Sequence, residues 1–131
     1  MTRIAVDTWA FVERHFNGPR ADEVETFLKA ATQAITTREI VGETFNFIVG
    51  RTKATRMASS WLQDLRASRV EVLEPRMPEI EEFLADLRVG AKLSYGDASL
   101  CLAAQAEGIE DVATGDGGFR IAGLRPLFAR L

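Results

Sequence analysis

Short apolar segments that alternate with longer stretches of helical periodicity are the feature of this sequence that most limits its fold. The first apolar segment, residues 3–6, ends at an acid, and residues 8–14 then follow a helical pattern. The alternation continues along the chain, and the other predicted strands are residues 34–36, 69–73, 111–114 and 124–128. Parallel strands need long crossovers, which are usually helices. The order therefore predicts a three-layer α/β/α fold around a central, mostly parallel sheet of about five strands.

Size and charge limit the classes of protein to which the chain can belong. It has 131 residues, of which 47% are hydrophobic, so residues 1–131 are expected to form a single domain with one ordinary core. The formal net charge of −3 argues against a protein that coats nucleic acid through bulk positive charge, so any RNA contact has to be local. The sequence has no secretory signal and no apolar run near the ~20 residues of a membrane span, which predicts a cytoplasmic protein without membrane association.

Four acids occupy positions that a parallel sheet would bring together. Asp7 follows the first predicted strand and Asp116 follows the fourth. Asp97 begins the helix that leads into the fourth strand, and Glu43 lies early in the helix that leaves the second. Ligands of such sheets bind outside the carboxyl ends of the strands, where the strand order reverses. We therefore expect the four carboxylates to meet in one cleft.

The chemistry of four neighbouring carboxylates indicates a metal site. Like charges this close repel each other and raise some of the pKa values, unless a divalent cation neutralises them. Oxygen-only ligation without a Cys or His cluster suits Mg²⁺, with Mn²⁺ as the other candidate, and does not suit zinc. The single cysteine, Cys101, lies in an apolar run and is predicted to be a buried packing thiol. Since no nucleophilic side chain is evident, the arrangement predicts hydrolysis of phosphodiester bonds through direct attack by metal-activated water.

Each acid also has a purely structural interpretation. Asp7 could cap the helix that starts at Thr8, Asp97 could be a charge at a helix N-terminus, and Asp116 could be a turn residue before glycine. Glu43 is harder to explain in this way, because it lies between apolar turns, where an unpaired carboxylate is costly to bury.

Two capping boxes are predicted at helix starts. Thr36 and Glu39 have the spacing for the helix over residues 37–50, and Ser94 and Asp97 repeat it for the last long helix. Glu39 is interpreted as a capping residue, with support of the metal site as its alternative role.

Four stretches of the sequence, taken in order, resemble the motifs of PIN domains. Each contains one of the four acids, and together they span nearly the whole chain. The stretches are Ile4-Ala5-Val6-Asp7-Thr8, Thr36-Thr37 with Glu43-Thr44-Phe45, Leu93-Ser94-Tyr95-Gly96-Asp97-Ala98, and Ala113-Thr114-Gly115-Asp116-Gly117-Gly118-Phe119.

The resemblance implies a PIN-like fold and a magnesium-dependent endoribonuclease whose substrate is RNA. Single-domain bacterial members are mostly VapC toxins held inactive by a VapB antitoxin, so it also implies the toxin of a VapBC type II toxin–antitoxin system and a homodimer. The alternative is a PIN-like scaffold that binds RNA or a protein without cutting. The residues that match the family's acidic quartet, and so look like the catalytic magnesium ligands, are Asp7, Glu43, Asp97 and Asp116.

Residues beside these acids match further family positions. Thr8 and Thr114 lie at the hydroxyl positions next to the first and last acids, and Ser94 matches the small polar residue ahead of the third. The resemblance implies that these three orient the carboxylates, with capping or turn formation as the equal alternative for each. The family commonly has a larger residue after the last acid. Gly117 and Gly118 therefore predict a more mobile loop at Asp116.

Four aromatic residues have two possible roles. They could line a groove for the antitoxin, or they could belong to the core. These residues are Trp9, Phe11, Phe47 and Trp61.

Overall fold

A five-stranded sheet lies at the centre of the protein. The computed structural model describes residues 2–86 and 93–130. In this part of the chain the strand order is β3-β2-β1-β4-β5, and each neighbouring pair is parallel. The strands are β1 (Thr2–Val6), β2 (Ala31–Thr37), β3 (Glu71–Leu73), β4 (Asp111–Ala113) and β5 (Arg125–Pro126). The predicted α/β fold with a parallel sheet of about five strands is thus confirmed.

Helices connect the strands, and two of them lie close to the predicted residues 8–14 and 37–50. They are α1 (Thr8–His15), α2 (Ala21–Ala30), α3 (Arg38–Thr52), α4 (Thr55–Ala67), α5 (Met77–Ala85) and α6 (Tyr95–Ala106). The sequence also predicts that the helix after Pro78 runs to Leu87 and ends at Gly90, and this part lies outside the described residues. Among the helices described, none is both long and apolar enough to cross a bilayer.

The central strand β1 is covered on both faces of the sheet. Ile4, Ala5 and Val6 have no solvent exposure, although successive side chains of a strand point to opposite faces. Cys101 of α6 is also fully buried, and this burial raises the pKa of its thiol to about 12. The prediction of a packing thiol is confirmed, because a group with so high a pKa is neutral and unreactive near neutral pH.

The strand order reverses between β1 and β4. From β1 the chain adds β2 and β3 on one side, whereas β4 and β5 lie on the other side. Val6 of β1 is in register with Ala113 of β4, and the amide of Asp7 donates to the carbonyl of Ala113 at 3.3 Å. Asp7 and Thr114 therefore lie next to each other at the carboxyl edge of the sheet, where ligands bind in folds of this kind.

The start of α3 differs from the expected capping box by one residue. Thr36 belongs to β2, and its hydroxyl donates to the carbonyl of Val6 at 2.8 Å. Thr37 is the N-cap and accepts a 3.2 Å hydrogen bond from the amide of Ile40. The predicted Thr36–Glu39 box is therefore wrong. One carboxylate oxygen of Glu39 is instead buried without a hydrogen-bond partner.

The segment after β4 contains a short helix that the sequence patterns did not predict. Residues Gly117–Ala122 form a 3₁₀ helix, and Phe119 within it is fully buried. The last strand is shorter than the predicted 124–128 and contains Pro126. Among the described strands it pairs with β4 alone and lies at the sheet edge, as expected for a strand whose proline has no amide to donate.

Candidate active site

Asp7 is a buried carboxylate at the end of the central strand. Its residue is 5% exposed, and Oδ2 accepts a 2.7 Å hydrogen bond from the hydroxyl of Thr114. The other oxygen, Oδ1, is buried without a hydrogen-bond partner. Asp7 occupies the N-cap position of α1, but its side chain makes no capping hydrogen bond. The interpretation of Asp7 as a helix cap is therefore wrong.

Glu43 reaches the site from α3 because Gly96 leaves space for its carboxylate. A Cβ at Gly96 would lie 2.5 Å from Oε2 of Glu43. The position of Glu43 between apolar turns suggested that its carboxylate is buried. The residue is instead exposed overall, and its carboxyl end approaches the start of α6. The absence of a side chain next to Asp97 thus brings Glu43 toward the third acid.

Asp97 forms the predicted capping box at the start of α6. Its Oδ2 accepts from the amide of Ser94 at 3.2 Å, and its own amide donates to the hydroxyl of Ser94 at 3.1 Å. The structural interpretation of Asp97 is therefore confirmed. Only one of its oxygens accepts from Ser94, which leaves the other for a further partner.

Asp116 lies in the loop after β4 and is connected to Asp7 through Thr114. Its amide donates to the hydroxyl of Thr114 at 3.0 Å, while that hydroxyl donates to Asp7. Its Oδ1 accepts from the amide of Gly118 at 2.8 Å, as the turn interpretation predicted. These bonds orient the loop in spite of its glycines.

Burial and the charges of neighbouring acids raise the pKa values of Asp7, Glu43 and Asp97. Burial, followed by the charge of Asp97 and then that of Glu43, raises the pKa of Asp7 to about 7, against the lowering effect of the bond from Thr114. Partial burial and then Asp97 raise the pKa of Glu43, which the hydroxyl of Thr8 lowers. Burial and then the charge of Asp116 raise the pKa of Asp97, although its bonds with Ser94 lower it. Asp97 is therefore electrostatically coupled to each of the other three acids.

The three hydroxyl residues next to the acids have different environments. Thr114 bonds Asp7 directly, and Ser94 holds Asp97 in the capping box. Thr8 accepts a 3.3 Å hydrogen bond from Thr44 and lies close enough to Glu43 to lower its pKa. Thr44 and Gly96 were not predicted from the sequence. The signal available in the sequence for Gly96 was its position as a small residue directly before Asp97.

The described residues fit a divalent cation, although they do not form a ready-made cage. In residues 2–86 and 93–130, no three acidic, histidine or cysteine side chains converge as a group that could hold a metal. The carboxylates of Asp97 and Asp116 are turned toward backbone amides. Asp7, in contrast, has a buried oxygen without a partner and a pKa raised by burial and then by neighbouring acids. A hard cation with oxygen ligands would relieve both conditions.

Most of the aromatic residues belong to the core and not to a groove. Phe11 and Trp61 are buried and pack edge to face at 5.4 Å. Trp9 is half-buried and stacks on Phe128, whereas Phe47 is 46% exposed.

The fold and the site define an α/β protein with a carboxylate cluster at the switch point of a parallel sheet. A sequence model of the PIN domain matches residues 4–123, and the chain belongs to the PIN domain family. A search of curated protein sequences finds no match.

Solved structures with a similar fold include one that is described as a toxin. VapC20 of Mycobacterium tuberculosis, described as a sarcin-ricin loop cleaving toxin, superposes with a TM-score of 0.77 at 19% identity, over 95% of this chain and 98% of that chain. VapBC2 of Rickettsia felis, solved with a DNA fragment from its promoter, has a TM-score of 0.65 at 19% identity, over 94% of this chain and 96% of that chain. FitAcB of Neisseria gonorrhoeae has a TM-score of 0.61 at 18% identity, over 94% and 95%. At these identities the likeness concerns the fold.

Proposed function

We propose that this protein is a divalent-metal-dependent endoribonuclease and the toxin of a VapB–VapC type toxin–antitoxin pair. The observation that carries the proposal is the buried Asp7, whose Oδ1 has no partner and whose neighbours Asp97 and Glu43 are acids. A buried carboxylate in this environment is destabilised unless a cation accompanies it. Membership of the PIN domain family supports a nuclease among the possible metal-dependent activities.

In this proposal the four acids hold Mg²⁺, or Mn²⁺, at the carboxyl edge of the sheet. The ligands are Asp7, Glu43, Asp97 and Asp116. When bound, the ion supplies charge neutralisation for a phosphodiester and a lowered pKa for an attacking water.

The residues around the acids keep the carboxylates in place. Thr114 fixes Oδ2 of Asp7, and therefore leaves Oδ1 as the oxygen that faces a ligand. Ser94 holds one oxygen of Asp97, and Gly96 leaves the space in which Glu43 approaches it. These contacts hold the carboxylates in fewer orientations, so less ordering is needed when an ion binds.

The proposed partners are an RNA substrate, a VapB-type antitoxin and a second copy of this chain. Support comes from the neighbours of similar fold, since two of them are VapBC2 and FitAcB. The protein and the product of a short adjacent reading frame should co-purify after co-expression. The mass of the complex, measured by light scattering, should correspond to two toxin chains together with the bound antitoxin chains. A monomeric protein that the adjacent product does not inhibit would contradict the toxin–antitoxin part of the proposal.

Cleavage of RNA with and without a divalent ion tests the enzymatic part. Purified protein is incubated with a broad RNA pool and with an oligonucleotide of the sarcin-ricin loop, in Mg²⁺, in Mn²⁺ and in EDTA. We expect cleavage only with an ion, and we expect Asp97→Asn to abolish it while the fold is retained. Asp64→Asn is the matched control, because Asp64 is an exposed acid on α4, outside the site.

The ends of the products distinguish this activity from contamination. Attack by water leaves a phosphate monoester and a hydroxyl, whereas attack by the 2′-hydroxyl of the RNA gives a cyclic phosphate. Cyclic ends, or cleavage that survives in EDTA and in Asp97→Asn, would refute the proposed chemistry. Binding of RNA without cleavage in either ion would instead favour the non-catalytic scaffold.

A further inference from the structure

Trp9 lies between the first acid and the loop that carries the last one. It belongs to the first turn of α1, two residues after Asp7, and it is half-buried. One side of its indole stacks on Phe128, with ring centroids 5.4 Å apart and an angle of 27° between the planes. The indole is therefore held by packing and does not move freely in solvent.

Gly115 packs directly against the edge of this indole. A Cβ at Gly115 would lie 2.7 Å from Cε2 and 2.7 Å from Nε1 of Trp9, and 3.1 Å from Cζ2. Gly115 is not among the residues with positive φ, so its backbone conformation would accept other amino acids. The indole, and not the backbone, thus requires a glycine at this position.

Phe128 makes the support behind Trp9 rigid. Its amide donates to the carbonyl of Thr114 at 3.0 Å, and its ring contacts Phe27 edge to face at 5.3 Å. The guanidinium of Arg20 lies 5.0 Å from the centre of the same ring. Stacking on Phe128 therefore resists a displacement of Trp9, and an added side chain at Gly115 would act on the loop.

The segment 114–116 is consequently held from two directions. On one side the hydroxyl of Thr114 accepts from the amide of Asp116. On the other side the backbone of Gly115 lies against Trp9. We propose that Trp9 is a positioning residue for Asp116, which fixes the fourth acid through its contact with Gly115. This inference rests on the proposed function for its consequence in catalysis, but the contact itself can be tested separately.

Two glycine-to-alanine variants on either side of Asp116 provide the test. Gly115→Ala introduces a Cβ against the rigid indole. Gly117→Ala introduces the same group against Arg120, with Nη1 at 2.6 Å, and the end of a flexible side chain can move away. Two further variants, Trp9→Leu alone and Trp9→Leu with Gly115→Ala, remove the indole atoms with which the new Cβ would collide.

Three measurements are made on each variant: amide exchange of Asp116 and Gly118 by NMR, the dissociation constant for Mn²⁺, and the rate of RNA cleavage. For Gly115→Ala we expect faster exchange of both amides and weaker Mn²⁺ binding, on the order of tenfold. Gly117→Ala should resemble the wild type in all three measurements. The double variant should be less impaired than the sum of its single changes predicts, because the two positions are in contact.

The result that would overturn the positioning role differs from the one that would overturn the proposed function. Equal amide exchange in Gly115→Ala, Gly117→Ala and wild type, or strict additivity in the double variant, would remove the role of Trp9, even in an active ribonuclease. If the wild type neither binds Mn²⁺ nor cleaves RNA, the proposed function fails. Faster exchange in Gly115→Ala and Trp9→Leu but not in Gly117→Ala, with a less than additive effect in the double variant, would still establish that Trp9 fixes the loop of Asp116.

Discussion

The hydroxyl of Thr114 donates a 2.7 Å hydrogen bond to Oδ2 of Asp7 in the buried gap between β1 and β4. The two residues come from opposite ends of the chain and meet because their strands are parallel neighbours in register. The same hydroxyl accepts from the amide of Asp116, so one side chain orients the first acid and the backbone of the last. This buried hydroxyl therefore offers a way to change the site without changing its charge.

Replacement of Thr114 by Val should weaken metal binding and shift the pH dependence of binding to higher pH. The bond from Thr114 lowers the pKa of Asp7, which burial and Asp97 raise to about 7, so its loss raises that pKa further. A smaller fraction of Asp7 is then ionised at neutral pH. We expect Mn²⁺ affinity to fall by about ten- to a hundredfold, as for other residues that support metal ligands. Titrations of Mn²⁺ at several pH values measure the change.

Thr114→Ser is the control for this change, because serine keeps the hydroxyl and loses only the methyl group. It should bind Mn²⁺ with nearly the wild-type pH dependence. Equal loss of affinity in the Ser and Val variants would contradict a role for the hydrogen bond.

The positions of the acids were easier to predict from the sequence than the contacts of the residues around them. Asp7 and Asp116 were accessible to prediction because each follows a short apolar strand, and parallel strands end at one edge. The approach of Glu43 to Gly96 could not be predicted, since it depends on how closely α3 and α6 pack. The contact between Trp9 and Gly115 was also missed, because it joins the first helix to the loop after β4, far apart in the sequence.

Local patterns failed where a tertiary contact overrode them. Thr36 and Thr37 are both suitable N-caps, and the hydrogen bond from Thr36 to Val6 across the sheet decides that Thr37 has this role. Gly117 and Gly118 indicated a loop without regular structure. The segment instead forms a 3₁₀ helix in which Phe119 is buried.

Replacement of Asp7 by Asn should flatten the pH dependence of stability in the absence of metal. The pKa of Asp7 is raised from 3.8 to about 7 in the folded protein, so between these values the native state holds a proton that the unfolded state has lost. Stability therefore falls as the pH rises through this window. A shift of this size corresponds to roughly 4 kcal/mol. The Asn variant lacks this penalty and should lose less stability than the wild type between about pH 4 and pH 7.

Thermal unfolding in EDTA at a series of pH values measures this effect. Asp111→Asn serves as the control, because Asp111 pairs with Arg125 at the protein surface and lies outside the acid cluster. If wild type and Asp7→Asn have parallel curves of Tm against pH, Asp7 is not the group that titrates in this window.

A divalent ion should stabilise the folded protein, and more so at higher pH. An ion that binds only the native state stabilises it by about 2.7 kcal/mol at a hundredfold excess over its dissociation constant. Below the raised pKa of Asp7, protons compete with the ion for the same carboxylate. We expect the rise in Tm with Mn²⁺ to be largest above pH 7 and to be lost in Asp97→Asn. An equal rise in that variant would indicate binding elsewhere.

Replacement of Gly96 by Ala should impair the site while the fold remains stable. A Cβ at Gly96 lies 2.5 Å from Oε2 of Glu43 but at an ordinary 3.4 Å from Ile40. The carboxylate is the end of a flexible side chain, so it moves away from Asp97 at little cost, and alanine favours the helix. We therefore expect an unchanged or higher Tm together with weaker Mn²⁺ binding and slower RNA cleavage. Gly42→Ala is the matched control: a Cβ there has nothing within 4 Å, so this variant should gain about 0.5–1 kcal/mol of stability and keep full activity. A Gly96→Ala protein that binds Mn²⁺ like the wild type would show that the position of Glu43 does not depend on the space at Gly96.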